Sequence, residues 1–210
     1  EDKDNYGFSV ASARVNFFGR LNYGYRDKYL LEATFRYDGS MNFAKGKRWG
    51  FFPSVSAGWI LSEEPFWAPV SKGISFFKLK ASWGMMGNDS IPSYQYMSQY
   101  MFDYSGVTFG SGEATNQAKA LYLARVANPD VTWETAQTYN AGFVMNFLKK
   151  FSLEGDFFYS HRSDILCTRN ASVPSYSGLI LPDENIGIVN NHGVEFVATY
   201  HDSADDWNWG

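Results

Sequence analysis

The sequence predicts an all-β fold: an antiparallel up-and-down transmembrane β-barrel, present as a partial barrel sheet over residues 1–210. Three observations predict it. Apolar and polar residues alternate with period two in runs longer than soluble strands need. Aromatic residues make up 19% of the chain and gather at the ends of those runs. The connections between runs sort into short ones on one side and long ones on the other.

The stretch Ser12 to Asp38 sets the pattern. Val15, Phe17, Gly19, Leu21, Tyr23 and Tyr25 alternate with Arg14, Asn16, Phe18, Arg20, Asn22 and Gly24. After a turn at Asp27, Tyr29, Leu31, Ala33, Phe35 and Tyr37 alternate with Glu32, Thr34, Arg36 and Asp38. Successive strand side chains face opposite ways, so each run has an apolar and a charged face. A soluble strand is typically about five or six residues, whereas a tilted membrane strand needs roughly 9–11. A long hairpin in a soluble carbohydrate-binding β-sandwich is the competing reading.

Gly39 to Gly50 is polar and reads as a loop. The next run, FFPSVSAGWIL, is expected to start at Pro53, where a missing N–H is tolerated. Ser62 to Ser75 is a connector with two prolines. Phe77, Leu79, Ala81 and Trp83 then alternate with Lys78, Lys80, Ser82 and Gly84. Gly87 to Val131 is long and irregular, with room for a small hairpin. Alternation returns at Trp133 to Phe147, turns at Leu148–Lys150 and continues from Phe151 to Arg162. Asp164 to Ile188 reads as a second long loop, Gly193 to Tyr200 as a strand, and Asp202 to Asp206 as an acidic turn. The opening residues lack the apolar stretch of a signal peptide. The closing DDWNWG looks like another strand beginning, so the chain reads as an internal segment of a longer one.

In a meander, alternate connections share a side. One side receives Asp27, 62–75, Lys149 and 202–206; the other receives 39–50, 87–131 and 164–188. Short inner turns with long outer loops are the asymmetry of outer-membrane barrels. A mean hydropathy of −0.32 does not oppose this, because half of each barrel strand faces a polar lumen. A net charge of −4 gives no basic footprint for nucleic acid. The single cysteine, Cys167, forms no disulfide framework.

No stretch assembles a catalytic centre, cofactor site or metal site. His161, His192 and His201 lack metal-ligand spacing. Glu154 and Asp156 share a face and resemble an acid–base pair, but charge on that face is the ordinary dress of a wet wall. Ser160, His161 and Asp164 are neighbours in sequence, whereas a triad is defined by geometry. Gly110-Ser111-Gly112 lacks the remaining features of a phosphate loop, and Asp2, Asp4 and Asn5 lack those of a calcium loop. The candidate contact residues for cargo or partner are Tyr94, Tyr96, Tyr100, Phe102 and Tyr104. Aromatic faces stack on sugars and anchor protein interfaces; the same rings also suit the internal packing of a long loop.

Several stretches together resemble the barrel of SusC-like TonB-dependent transporters of the Bacteroidetes. They are YRDKYLLEATFRYDGSMNF, RWGFFPSVSAGWILSEEPF, LKASWGMMGN, NPDVTWETAQTYNAGF and NNHGVEF, in that family's order. Met41-Asn42-Phe43 stands where Ser-Arg-Phe is common, and His192 where a basic residue is common. The resemblance implies a plugged outer-membrane barrel of about 22 strands, of which seven or eight are expected here. It also implies import of an oligosaccharide or a peptide, a SusD-like surface lipoprotein as partner, and TonB engaged through a region outside this sequence.

Overall fold

The computed structural model describes residues 11–110, 116–148, 150–168, 181–204 and 207–209. Seven strands form one antiparallel sheet: β1 (Arg14–Tyr25), β2 (Tyr29–Ser40), β3 (Trp49–Ile60), β4 (Ile74–Asn88), β7 (Glu134–Phe147), β8 (Phe151–Cys167) and β9 (Glu184–Tyr200). They pair in that order. Between β4 and β7 the chain makes a separate hairpin of β5 (Gln99–Phe109) and β6 (Asn116–Arg125). A short hairpin of β10 (Asp202–Ala204) and β11 (Trp207–Trp209) follows β9.

The tight turns use left-handed backbone. Between β1 and β2, Arg26 and Asp27 have φ of 51° and 54°, and the Lys28 N–H donates to the Tyr25 carbonyl at 3.1 Å. Leu148, with φ of 52°, does the same work between β7 and β8. Neither Arg nor Leu favours that region, so strand pairing on either side imposes it.

Directly paired residues share a face, so the register tests the predicted alternation. Leu31, Ala57, Ala81, Ala141, Phe157 and Val194 form one continuous row. Glu32, Ser56, Ser82, Asn140 and Phe158 form the row beside it, on the other face. The apolar residues Val15, Phe17, Leu21, Leu31, Phe35, Val55, Leu79, Phe143, Leu153 and Phe196 all fall on the first face. Arg20, Glu32, Arg36, Lys80, Asn140, Glu154 and Glu195 fall on the second. The apolar face stays open, with Leu21 at 66% and Phe196 at 68% exposure. Among the described residues no second sheet covers it, which a sandwich would require.

Several boundaries differ from the sequence reading. Pro53 lies well inside β3, opposite Phe35. The β3–β4 ladder starts at Ser54, so on that side Pro53 lies just beyond the last pair and its missing N–H breaks no rung. β8 and β9 are 17 residues each, so strand structure reaches Cys167 and resumes at Glu184, both inside the stretch read as a loop, whose residues 169–180 lie outside the described residues. β2 and β3 likewise extend into the first loop and leave 41–48. The 87–131 stretch contributes its first two residues to β4 and contains the β5–β6 hairpin. Asp202–Ala204 is a strand rather than part of an acidic turn. The extensions of β8 and β9 include the register shifts around Arg162 to Leu166, which break the two-residue period that the sequence reading relies on.

Candidate functional site

The inner wall presents a central band of charge. Lys80 on β4 reaches across β7 to two carboxylates on β8, Glu154 and Asp156, the latter at 2.9 Å. The i, i+2 spacing of Glu154 and Asp156 puts both on the inner face, and Gly142 between the strands leaves the room. A Cβ on Gly142 would stand 2.3 Å from an Asp156 carboxylate oxygen. Arg20 and Glu32 pair nearby at 2.5 Å. The Asp156–Glu195 pairing brings a third acid alongside. Thus Glu154 and Asp156 are the acidic partners of Lys80 in an ion-pair cluster rather than an isolated acid–base pair. Ser160 and His161 point to opposite faces by strand alternation, so they make no triad with Asp164.

At the long-loop end the sheet opens. β4 continues against β7 up to Asn88↔Glu134 after its pairing with β3 has stopped. Phe43, Phe52, Val131 and Trp133 pack there as a buried cluster, with Met85, Ile91 and Leu166 against it. The Phe52 ring takes the space of the Cβ that Gly87 lacks; a Cβ there would lie 1.9 Å from the ring.

Polar side chains tie five chain segments around this cluster. The Asn128 carboxamide donates to the Asp183 carbonyl at 2.6 Å, and its oxygen accepts from the Asp130 N–H at 2.9 Å. Asn185 pairs reciprocally with Thr132, accepting from its N–H and donating to its carbonyl, both at 3.0 Å. Asn42 donates to the Asp89 carbonyl at 3.0 Å, and the Asp89 carboxylate meets Arg14 at 2.8 Å. The stretch NPDVTWET is therefore a structural knot. Asn185, Asp183 and Phe43 belong to it although no local pattern marked them.

The five candidate aromatics divide. Tyr94 and Tyr96 are half-buried and meet edge to face at 6.3 Å. The Tyr94 carbonyl accepts from Arg125 at 2.9 Å, and buried Gln95 between the two tyrosines accepts from the Asn128 N–H. Tyr100 and Phe102 stand on one face of β5, exposed at 62% and 59%. They lie opposite Leu123 and Leu121. The Tyr104 side chain lies outside the described residues, as do Asp2, Asp4, Asn5, Ser111 and Gly112.

At the short-turn end, Glu64 organises the connector. It accepts from the Tyr29 hydroxyl at 2.7 Å, from the Trp59 indole at 3.3 Å and from Lys28 at 3.3 Å. These bonds, led by that from Tyr29, hold its carboxyl below the ordinary glutamate range.

Comparison with known proteins accords with this architecture. The family described as TonB dependent receptor-like, beta-barrel matches residues 1–210. TonB-dependent receptor P26 of Formosa agariphila is 33% identical over 210 residues, covering 98% of this chain and 20% of that protein. TonB-dependent receptor SusC of Bacteroides thetaiotaomicron is 32% identical over 199 residues, covering 92% of this chain and 19% of that protein. The RagAB peptide importer in its closed-closed state superposes with a TM-score of 0.76 at 26% identity, over 94% of this chain and 21% of that one. The chain spans about a fifth of the length of these relatives. Its seven-stranded sheet is a section of an outer-membrane barrel wall, apolar towards lipid and polar towards the lumen, and the chain belongs to the TonB dependent receptor-like β-barrel family.

Proposed function

We propose that this wall serves a TonB-dependent importer that takes up an oligosaccharide together with a SusD-like surface lipoprotein. The carrying observation is the segregation of faces across all seven strands. Such a sheet has to close into a barrel so that no backbone edge meets lipid, and closure turns the charged face into a pore lining. The strands perform no chemistry; they hold a passage, and TonB acts through a region outside this sequence. The exposed pair Tyr100 and Phe102 supplies flat apolar faces at the long-loop end, suited to sugar rings or to a lipoprotein lid. Peptide cargo is the second reading, favoured by the likeness to the RagAB peptide importer.

The test uses the full-length protein with Tyr100→Ala and Phe102→Ala combined. Uptake of labelled oligosaccharides and oligopeptides is measured in cells, alongside co-purification of the lipoprotein and heat-modifiable migration of the barrel. Loss of oligosaccharide uptake or of lipoprotein association, with barrel migration intact, supports the reading. Selective loss of peptide uptake moves it to the second cargo. Unchanged uptake and association remove the pair from the site.

A further inference from the structure

One phenyl ring interrupts the polar run of the inner face on β8. From Glu154 to Ser160 the inward positions are Glu154, Asp156, Phe158 and Ser160. Phe158 lies opposite Asn140 on β7 and Gly193 on β9. Asp156 and Ser160 flank it along its own strand, and their partners on β9 are Glu195 and Asn191. Paired positions and i, i+2 positions lie about 5 and about 7 Å apart. The ring therefore stands in a frame of carboxylates, carboxamides and a hydroxyl. A wet wall is satisfied by polar side chains alone, so barrel closure gives no reason for a phenyl here.

Gly193 seats the ring. A Cβ on Gly193 would stand 2.9 Å from two of its atoms, so only a glycine lets the phenyl lie down over β9. The ring is half-buried, and one side stays towards the lumen. Phe158, Asn140, Asp156 and Glu195 line a concave cavity of ≈820 Å³ together with Glu32 and Lys80. Small-molecule sites span about 300–1,000 Å³.

The surrounding polar groups are weakly committed. Asn140 donates a long bond to Ser82, and Ser160 accepts one from Thr138, both at 3.4 Å. Among the described residues Glu195 has no cation of its own. An aromatic ring framed by planar polar side chains suits a pyranose. The C–H face of the sugar stacks on the phenyl. Carboxylates and carboxamides each offer two polar atoms, which fits neighbouring hydroxyls. Charge narrows the class. Lys80 is shared by Glu154 and Asp156, and Glu195 adds a third carboxylate. A sugar carrying carboxylate or sulfate would meet like charge at this wall.

We propose that Phe158 and its frame are a lumenal subsite for a neutral sugar ring of the cargo, stacked on the phenyl and hydrogen-bonded by Asn140, Asp156, Asn191 and Glu195. The subsite rests on the oligosaccharide reading above. It adds the place in the wall where a sugar is held and the charge class that it accepts.

The test uses cells carrying the full-length protein, its variants, or no copy. They receive a mixture of neutral gluco-, manno- and xylo-oligosaccharides, oligogalacturonides and a tryptic digest of casein. Mass spectrometry follows what leaves the medium, and heat-modifiable migration checks the barrel. The wild type removes neutral oligosaccharides. Phe158→Leu raises their half-saturation concentration by about fivefold or more, whereas Phe158→Tyr, which keeps the ring, stays near wild type. Wild-type uptake by Phe158→Leu, or equal losses in the Leu and Tyr variants, overturns the subsite and leaves oligosaccharide import standing. Preference for oligogalacturonides overturns the charge class, and the proposal with it. Uptake of peptides alone, or of none of the three classes, removes the oligosaccharide reading and the subsite together. If Phe158→Leu fails to fold, Asn191→Ala on the adjacent strand reads the same frame by the same rise, and its absence overturns the proposal.

Discussion

Val55 is the sharpest test of which face meets lipid. It sits on β3 between Ala33 and Trp83, four residues from Phe51 and four from Trp59. A lysine here cannot snorkel to either edge at low cost, and a mid-bilayer lysine on the lipid face costs about 2–4 kcal/mol. The loss of the valine itself is separated by using Val55→Ala as the reference. Against it, Val55→Lys is expected to lose about 3 kcal/mol, roughly a hundredfold in the folding equilibrium. Ser56→Lys, one residue on, enters the lumen opposite Glu32 and is expected to stay within about 0.5 kcal/mol of wild type. Phe51→Lys, four residues nearer the long-loop end, falls between at about 0–1 kcal/mol against Phe51→Ala. The assay is reversible denaturant unfolding of the full-length barrel in vesicles, read by heat-modifiable migration and tryptophan fluorescence. Equal costs at Val55 and Ser56 would refute the facing argument for this strand and, through the shared register, for the sheet.

Three further outcomes follow from the contacts. Gly87→Ala drives a methyl into the Phe52 ring and is expected to destabilise by about 1–3 kcal/mol; pairing it with Phe52→Leu restores part of the loss, whereas Gly24→Ala, with its nearest neighbour at 3.9 Å, is not improved by that partner change. The lowered carboxyl of Glu64 makes its contribution to the connector full above the ordinary glutamate range and lost as pH falls through that lowered carboxyl; proteolysis within 61–73 should rise on acidification, and Glu64→Gln should remove that pH dependence. Lys80→Met leaves Glu154 and Asp156 without their shared cation, but the three side chains remain partly open to solvent, so the cost in unfolding experiments is about 1 kcal/mol or less.

Much of the wall was legible because alternation is a strong signal wherever one face is apolar. The hairpin from Ser12 to Asp38 and the strand from Trp133 to Phe147 show this: each apolar side chain met its predicted face in register. Legibility failed where strands leave the lipid. The upper part of β8, from Ser163 to Cys167, carries a left-handed Asp164 at φ 58° and a register shift, and neither leaves a periodic trace. The candidate aromatics could not be sorted from sequence, because burial of Tyr94 and Tyr96 depends on Arg125 and Asn128, about 30 residues away.

The positions that carry the family resemblance have a physical logic of their own. In the lipid band many apolar residues satisfy one face and many polar ones the other, so alternation is a loose constraint. The loop knot is tight. Its interior must hold Trp133, Phe43, Phe52 and Val131 without clash, and it must satisfy the backbone groups of four segments through particular carboxamides. Asn128 serves Asp183 and Asp130 at once, and only a side chain with both a donor and an acceptor does both. A knot so specified fixes the mouth of the wall, from which the β5–β6 hairpin projects with Tyr100 and Phe102. The wording of NPDVTWET is therefore set by the anchoring of the loops, through the bonds of Asn128 and the reciprocal pair of Thr132 with Asn185.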